Sequence, residues 1–179
     1  MKRVLFAAVL LVVGMLPVAA TASAEEAGHG NGFAAHLTAA QEVQSPAVVS
    51  NASGTGTFRI SDNDTKIHFR LTGRNFDPTH RIRQAHIHLA PKGQNGNIVL
   101  FLFPLTPAAG VNPEGFSVSG TVTAADIVPA PAGSPAPTPT FPEIIAAIRA
   151  GNAYANIHTT AFPAGEIRGQ LLPASGEGD

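Results

Sequence analysis

The chain has 179 residues, 11 basic and 12 acidic side chains, a formal net charge of −1 and no cysteine. That composition excludes disulfide scaffolds and thiolate metal sites, and without a basic surplus it offers no electrostatic footprint for nucleic acid. With one tyrosine and no tryptophan, it also lacks an aromatic platform for stacking sugars.

Lys2 and Arg3 precede an apolar run over residues 4–16, and Ala22-Ser23-Ala24 supplies a small-x-small cleavage pattern. Residues 1–24 therefore read as a secretory signal peptide, cut near Ala24. No cysteine follows for a lipid anchor, and no later apolar run reaches membrane-spanning length. The expected product is soluble and either periplasmic or secreted. Residues 25–32 are polar and Gly-rich, an expected flexible tail, and residues 173–179 form an expected C-terminal tail. The stretch between them suits one domain, which buries roughly two thirds of its unfolded surface.

From Phe33 the pattern becomes β-like. Residues 33–37 alternate briefly. Residues 55–60 place Phe58 and Ile60 on one face, Asp62-Asn63-Asp64 signals a turn, and residues 66–71 alternate with Ile67, Phe69 and Leu71 inward. That pair predicts an antiparallel hairpin. Residues 83–89 predict the next strand, residues 93–97 a turn, residues 98–103 a fully buried strand, and residues 116–122 another alternating strand. Residues 128–142 are Pro-rich and predict an inserted loop with no core of its own. Thr140 predicts the cap of a short helix over residues 143–150, with Pro142 in its first turn and Gly151 past its end. Ile144, Ile145 and Ile148 are its expected buried face. Residues 153–159 and 166–172 predict the last two strands. The sum is an all-β fold, an antiparallel Greek-key-like sandwich or barrel of about eight strands with one short helix.

Chemistry concentrates on two of these strands. Side chains alternate across a strand, so His86 and His88 share a face, about 7 Å apart in Cα. A third imidazole from a neighbouring strand is needed to hold an ion. His158 is the candidate, on one face with Tyr154 and Asn156. Neutral imidazoles suit copper or zinc, and such ligation predicts affinity that falls as histidines protonate below about pH 6.5. The competing reading is an ordinary polar face with each histidine hydrogen-bonded to its neighbours. His36, His68, His80 and His29 are weaker candidates. Glu166 and Arg168 share a strand face, with Gln170. They read as a structural pair that satisfies loop backbone groups, with ligand binding the lesser alternative. Asn156 and Thr159 are expected to pin the last hairpin. There is no nucleophile motif, no phosphate loop and no evident pair of catalytic carboxylates.

The chain resembles the CHRD domain family over about residues 33–172. The resemblance rests on Leu37-Thr38-Ala39-Ala40-Gln41-Glu42-Val43, residues 54–60, Ala85-His86-Ile87-His88 and residues 151–171, with Asn156-Ile157-His158-Thr159 and Gly165-Glu166-Ile167-Arg168-Gly169-Gln170-Leu171 the most specific pieces. Members often read Glu-Val-Pro-Pro where this chain has Gln44 and Ser45 before Pro46. The resemblance implies an extracellular all-β domain acting as a non-catalytic binding or structural module. Its partner would be an extracellular or periplasmic protein or ligand, with oligomeric state open. A looser similarity is to Cu/Zn superoxide dismutases, which also set a His-x-His pair on a barrel strand with a later strand histidine. His86, His88 and His158 match that order, but the bridging histidine, zinc ligands and disulfide have no counterpart. That similarity implies a copper-type site, with zinc the lesser choice, and leaves redox chemistry as the alternative function.

Overall fold

The computed structural model describes residues 30–104 and 109–174. The signal peptide read over residues 1–24, most of the N-terminal tail and His29 lie outside the described residues, as does nearly all of the C-terminal tail.

The chain folds into one nine-stranded antiparallel sheet, nearly closed on itself, with a single α-helix. The strands are β1 (Gly32–Thr38), β2 (Ser53–Ile60), β3 (Lys66–Arg74), β4 (Ile82–Leu89), β5 (Ile98–Phe103), β6 (Ser117–Thr123), β7 (Ala153–Thr159), β8 (Ile167–Gln170) and the two-residue β9 (Leu172–Pro173). Their order in space is β5-β4-β7-β8-β1-β2-β3-β6, with β9 also on β1. The end strands approach each other: the backbone just after β6 bridges Ile127 to Leu100 of β5, and Val128 N–H donates to Val99 O at 2.9 Å.

The β2–β3 hairpin forms where the alternation placed it. Phe58 lies opposite Phe69 and Ile60 opposite Ile67. Asp64, in the connecting turn, takes a left-handed φ of 53°, a conformation Asp tolerates better than most residues. The inward side chains Leu37, Ile60, Ile67, Leu71, Ile87 and Ile157 are fully buried, each contributing about 1.5–3 kcal/mol by leaving water.

The helix α1 (Phe141–Arg149) starts two residues before its expected first residue. Thr140 and Glu143 form a reciprocal capping box, the Glu143 carboxylate accepting from Thr140 N–H at 2.7 Å. Ile144, Ile145 and Ile148 face the core, and Arg149 forks onto Asp64 at 2.7 and 2.8 Å. Phe141 corrects the expectation that residues 128–142 contribute nothing to the core. It is buried, because the helix begins early enough to turn its ring inward.

Two strands also differ from their sequence patterns. In β5 only Val99, Leu100 and Leu102 are buried, while Ile98, Phe101 and Phe103 are half-buried, since β5 ends the sheet. The expected strand over residues 166–172 is split at Leu171 into β8 and β9. Among the described residues, no helix is long and apolar enough to cross a membrane.

Candidate metal centre

β4 and β7 are hydrogen-bonded neighbours, and their register places the three histidines together. His86 pairs with Asn156, His88 with Tyr154, and Gln84 with His158. His158 is thus diagonal to His86, a separation of about 7–8 Å in Cα that long side chains bridge. The donor nitrogens of His86, His88 and His158 all lie within 4.8 Å of one another. Among the described residues this is the one cluster of three or more potential metal-binding side chains that meets so closely.

All three rings are buried, His86 completely. On a simple alternating strand they would face water. Here loops and neighbouring strands cover them. The Phe101 ring meets His86 edge-on at 4.9 Å. Tyr154 stacks flat on His88, with centroids 4.7 Å apart and planes 4° from parallel. Arg168, from β8 on the opposite side of β7 from β4, holds its guanidinium over the Tyr154 ring, 4.6 Å from its centroid.

Backbone carbonyls fix two of the tautomers. His88 Nδ1–H donates to Gly96 O at 2.9 Å, and His158 Nδ1–H donates to Pro163 O at 2.8 Å. A carbonyl can only accept, so Nδ1 carries the proton in both rings and Nε2 is the unprotonated nitrogen. This is the arrangement by which metal-binding histidines are oriented. His86 Nδ1 lies 3.2 Å from His88 Nε2. The Nε2 atoms of His86 and His158 are buried with no hydrogen-bond partner, where buried polar atoms are ordinarily satisfied.

Burial holds the rings neutral. It pushes His86 down to about 2, helped by the neighbouring imidazoles of His158 and His88. It pushes His88 down to about 4 against the opposing pull of its bond to Gly96, and lowers His158 in the same way. Proton competition for a metal therefore begins well below the pH 6.5 expected from free imidazole.

The other expected site residues brace this centre. Asn156 Nδ2 donates to Glu42 Oε1 at 2.6 Å and to Ile167 O at 3.2 Å. Burial raises the Glu42 carboxyl, with the bonds from Asn156 and Gln44 opposing. Thr159 Oγ1 donates to Glu166 Oε2 at 2.6 Å and accepts from Phe162 N–H at 3.2 Å, closing the last hairpin. Gly165 sits above Asn156 with a φ of 121°. A Cβ there would come within 2.8 Å of both Asn156 and Glu42 side-chain atoms, so only glycine fits.

Glu166 and Arg168 do not pair with each other, which corrects the pairing expected of them. Glu166 lies just before β8 and Arg168 within it, and each has its own partners. Arg168 donates to Gln41 O, Gln94 O and Asn95 Oδ1. The backbone-satisfying role expected of the pair falls to Arg168. Glu166 is fully buried and accepts from Ser50, Thr159 and His80. His80 therefore belongs to this bracing network, 3.0 Å from Glu166, while His36 and His68 are exposed on β1 and β3.

Sequence reasoning placed Tyr154 on the face of His158 without its stacking on His88, and it missed Phe101, Glu42 and the carbonyls of Gly96 and Pro163. A usable signal existed for two of them. Glu42 lies inside the opening motif, and Pro163 lies inside the terminal motif.

A family model described as the CHRD domain matches residues 33–171. No curated protein and no solved structure matches the chain.

Proposed function

Since the chain belongs to the CHRD domain family, we propose that it is an exported, non-catalytic binding module whose buried centre holds one transition-metal ion through His86, His88 and His158. The observation that carries this reading is the convergence of three neutral imidazoles with two Nε2 atoms left without hydrogen bonds. Neutral imidazole is the form that ligates. A purely structural cluster would satisfy those nitrogens, because a buried unmade hydrogen bond costs about 1–3 kcal/mol.

An all-imidazole set suits copper or zinc and is a poor match for calcium or magnesium, which take oxygen ligands. Metal–nitrogen bonds of about 2.0–2.1 Å require the rings to close slightly from their present spread. Enclosure favours holding the ion over turning over a substrate, since a reactive metal site keeps an open position. The module reading and the copper reading therefore describe one object.

Metal analysis and titration of residues 25–179 test this, beside a His86→Ala/His88→Ala double variant and a milder His158→Gln variant checked for folding by circular dichroism. One ion per chain in the wild type, lost in a folded variant, is the expected result. No binding, or equal binding in wild type and variants, removes the reading.

A further inference from the structure

We propose that the ion this centre selects is monovalent copper. The inference rests on the metal reading above and names the ion and its oxidation state.

The first argument is charge. All three donors are neutral, and no carboxylate joins the donor set. The ion's charge is therefore uncompensated by its ligands, in a place where His86 is wholly inaccessible and His88 and His158 are nearly so. The penalty for burying an ion grows with the square of its charge, so a divalent ion carries roughly four times the desolvation cost of a monovalent one.

The second argument is the charge stacked behind the ligand. Arg168, Tyr154 and His88 form a continuous column, at 4.6 Å and then 4.7 Å. A guanidinium is always protonated. It cannot swing aside, because Gln41 O, Gln94 O and Asn95 Oδ1 hold it. A fixed positive charge on the far side of a ligand ring opposes a second positive charge on the ion. The two nearby carboxylates are engaged elsewhere. Glu42 is held by Asn156 and Gln44, and burial favours its neutral form. Glu166 accepts from Ser50, Thr159 and His80.

The third argument is coordination number. Divalent copper and zinc favour four or more ligands. The chain supplies three here, and the rings of Phe101 and Tyr154 pack against two of them. Monovalent copper, with half the charge to neutralise, is satisfied by three.

Competition binding on the exported chain decides the matter. Cu(I) is titrated anaerobically against bathocuproine disulfonate, and Cu(II) and Zn(II) are titrated against chelators of known affinity. The expected result is Cu(I) affinity at least about 100-fold above that for either divalent ion, set by the difference in desolvation. Arg168→Gln, folded by circular dichroism, is expected to narrow that ratio about tenfold and to lower the reduction potential of the bound copper. Arg70→Gln, which removes an exposed guanidinium on β3 instead, is expected to leave the ratio unchanged. Tighter binding of Cu(II) or Zn(II) than of Cu(I) overturns this proposal while leaving the metal reading in place. Failure of all three ions to bind overturns both. An unchanged ratio and potential in folded Arg168→Gln overturns the argument from the stacked charge.

Discussion

Strands β3 and β7 carry the same kind of sequence and occupy different surroundings. Both alternate apolar and polar residues, and both put a histidine in a polar slot. In β3 the alternation is the whole account: Ile67, Phe69 and Leu71 are buried, while Lys66, His68 and Arg70 face water. In β7 every position from Ala153 to Thr159 is buried. The second face of β7 is roofed by side chains and carbonyls from distant segments: Glu42, Gly96, Pro163 and Arg168. A polar side chain on β3 stands in water, with at most a partner on the adjacent strand, as His68 has in Thr121. One on β7 needs a specific partner, and two ring nitrogens near it lack one. Alternation names the face on which a residue stands, and the chain's other loops decide what that face meets.

The sharpest way to break this contrast is to remove a roofed polar group. Glu166→Ala takes a fully buried acceptor from Thr159, Ser50 and His80. It should cost about 3 kcal/mol, read from the urea midpoint. Asn156→Ala strips Glu42 of its hydrogen bond and should cost about 1–3 kcal/mol. If either change proves neutral, the roof is not what distinguishes β7.

Acid titration of metal-free protein sharpens the contrast from another side. Unfolded imidazoles bind protons below about pH 6.5. Folded His86 and His88, pushed down to about 2 and about 4, do not. The unfolded state then holds more protons, so stability falls as pH drops from 6.5 towards 4. Glu42 works the other way: its raised carboxyl contributes stability that is present at low pH and lost as pH rises through the raised value. A His86→Gln/His88→Gln variant should show a shallower decline of urea midpoint with acid, and an identical decline would locate the acid sensitivity elsewhere.

Two smaller changes complete the scale. Thr140→Ala breaks the capping box of α1 and should cost about 1 kcal/mol in thermal or urea denaturation. Arg70→Ala, on the open face of β3, should shift stability by no more than about 0.5 kcal/mol. A large loss there would mean that β3 too has a partner.

The strands were legible because alternation and turn residues report local geometry. His86, His88 and His158 could be placed on their faces from period two alone, and Thr140 was legible as the helix cap, though the expected first residue fell two positions late. The centre's surroundings were not legible. Asn156 reaches Glu42 across 114 residues, and nothing local to either residue announces the other. The same holds for Arg168. Its neighbour Glu166 suggested a pair, but loops around Gln41 and Gln94 take the guanidinium, while Ser50, Thr159 and His80 take the carboxylate. Phe141 was lost to a Pro-rich neighbourhood that hides a helix beginning within it.

Tyr154 is the one tyrosine of a chain without tryptophan. Emission excited beyond the phenylalanine band therefore comes from a single fluorophore, stacked on His88. Copper held by that imidazole would quench it at short range, so filling and emptying of the centre could be followed as dimming and brightening of the native protein, with no dye attached.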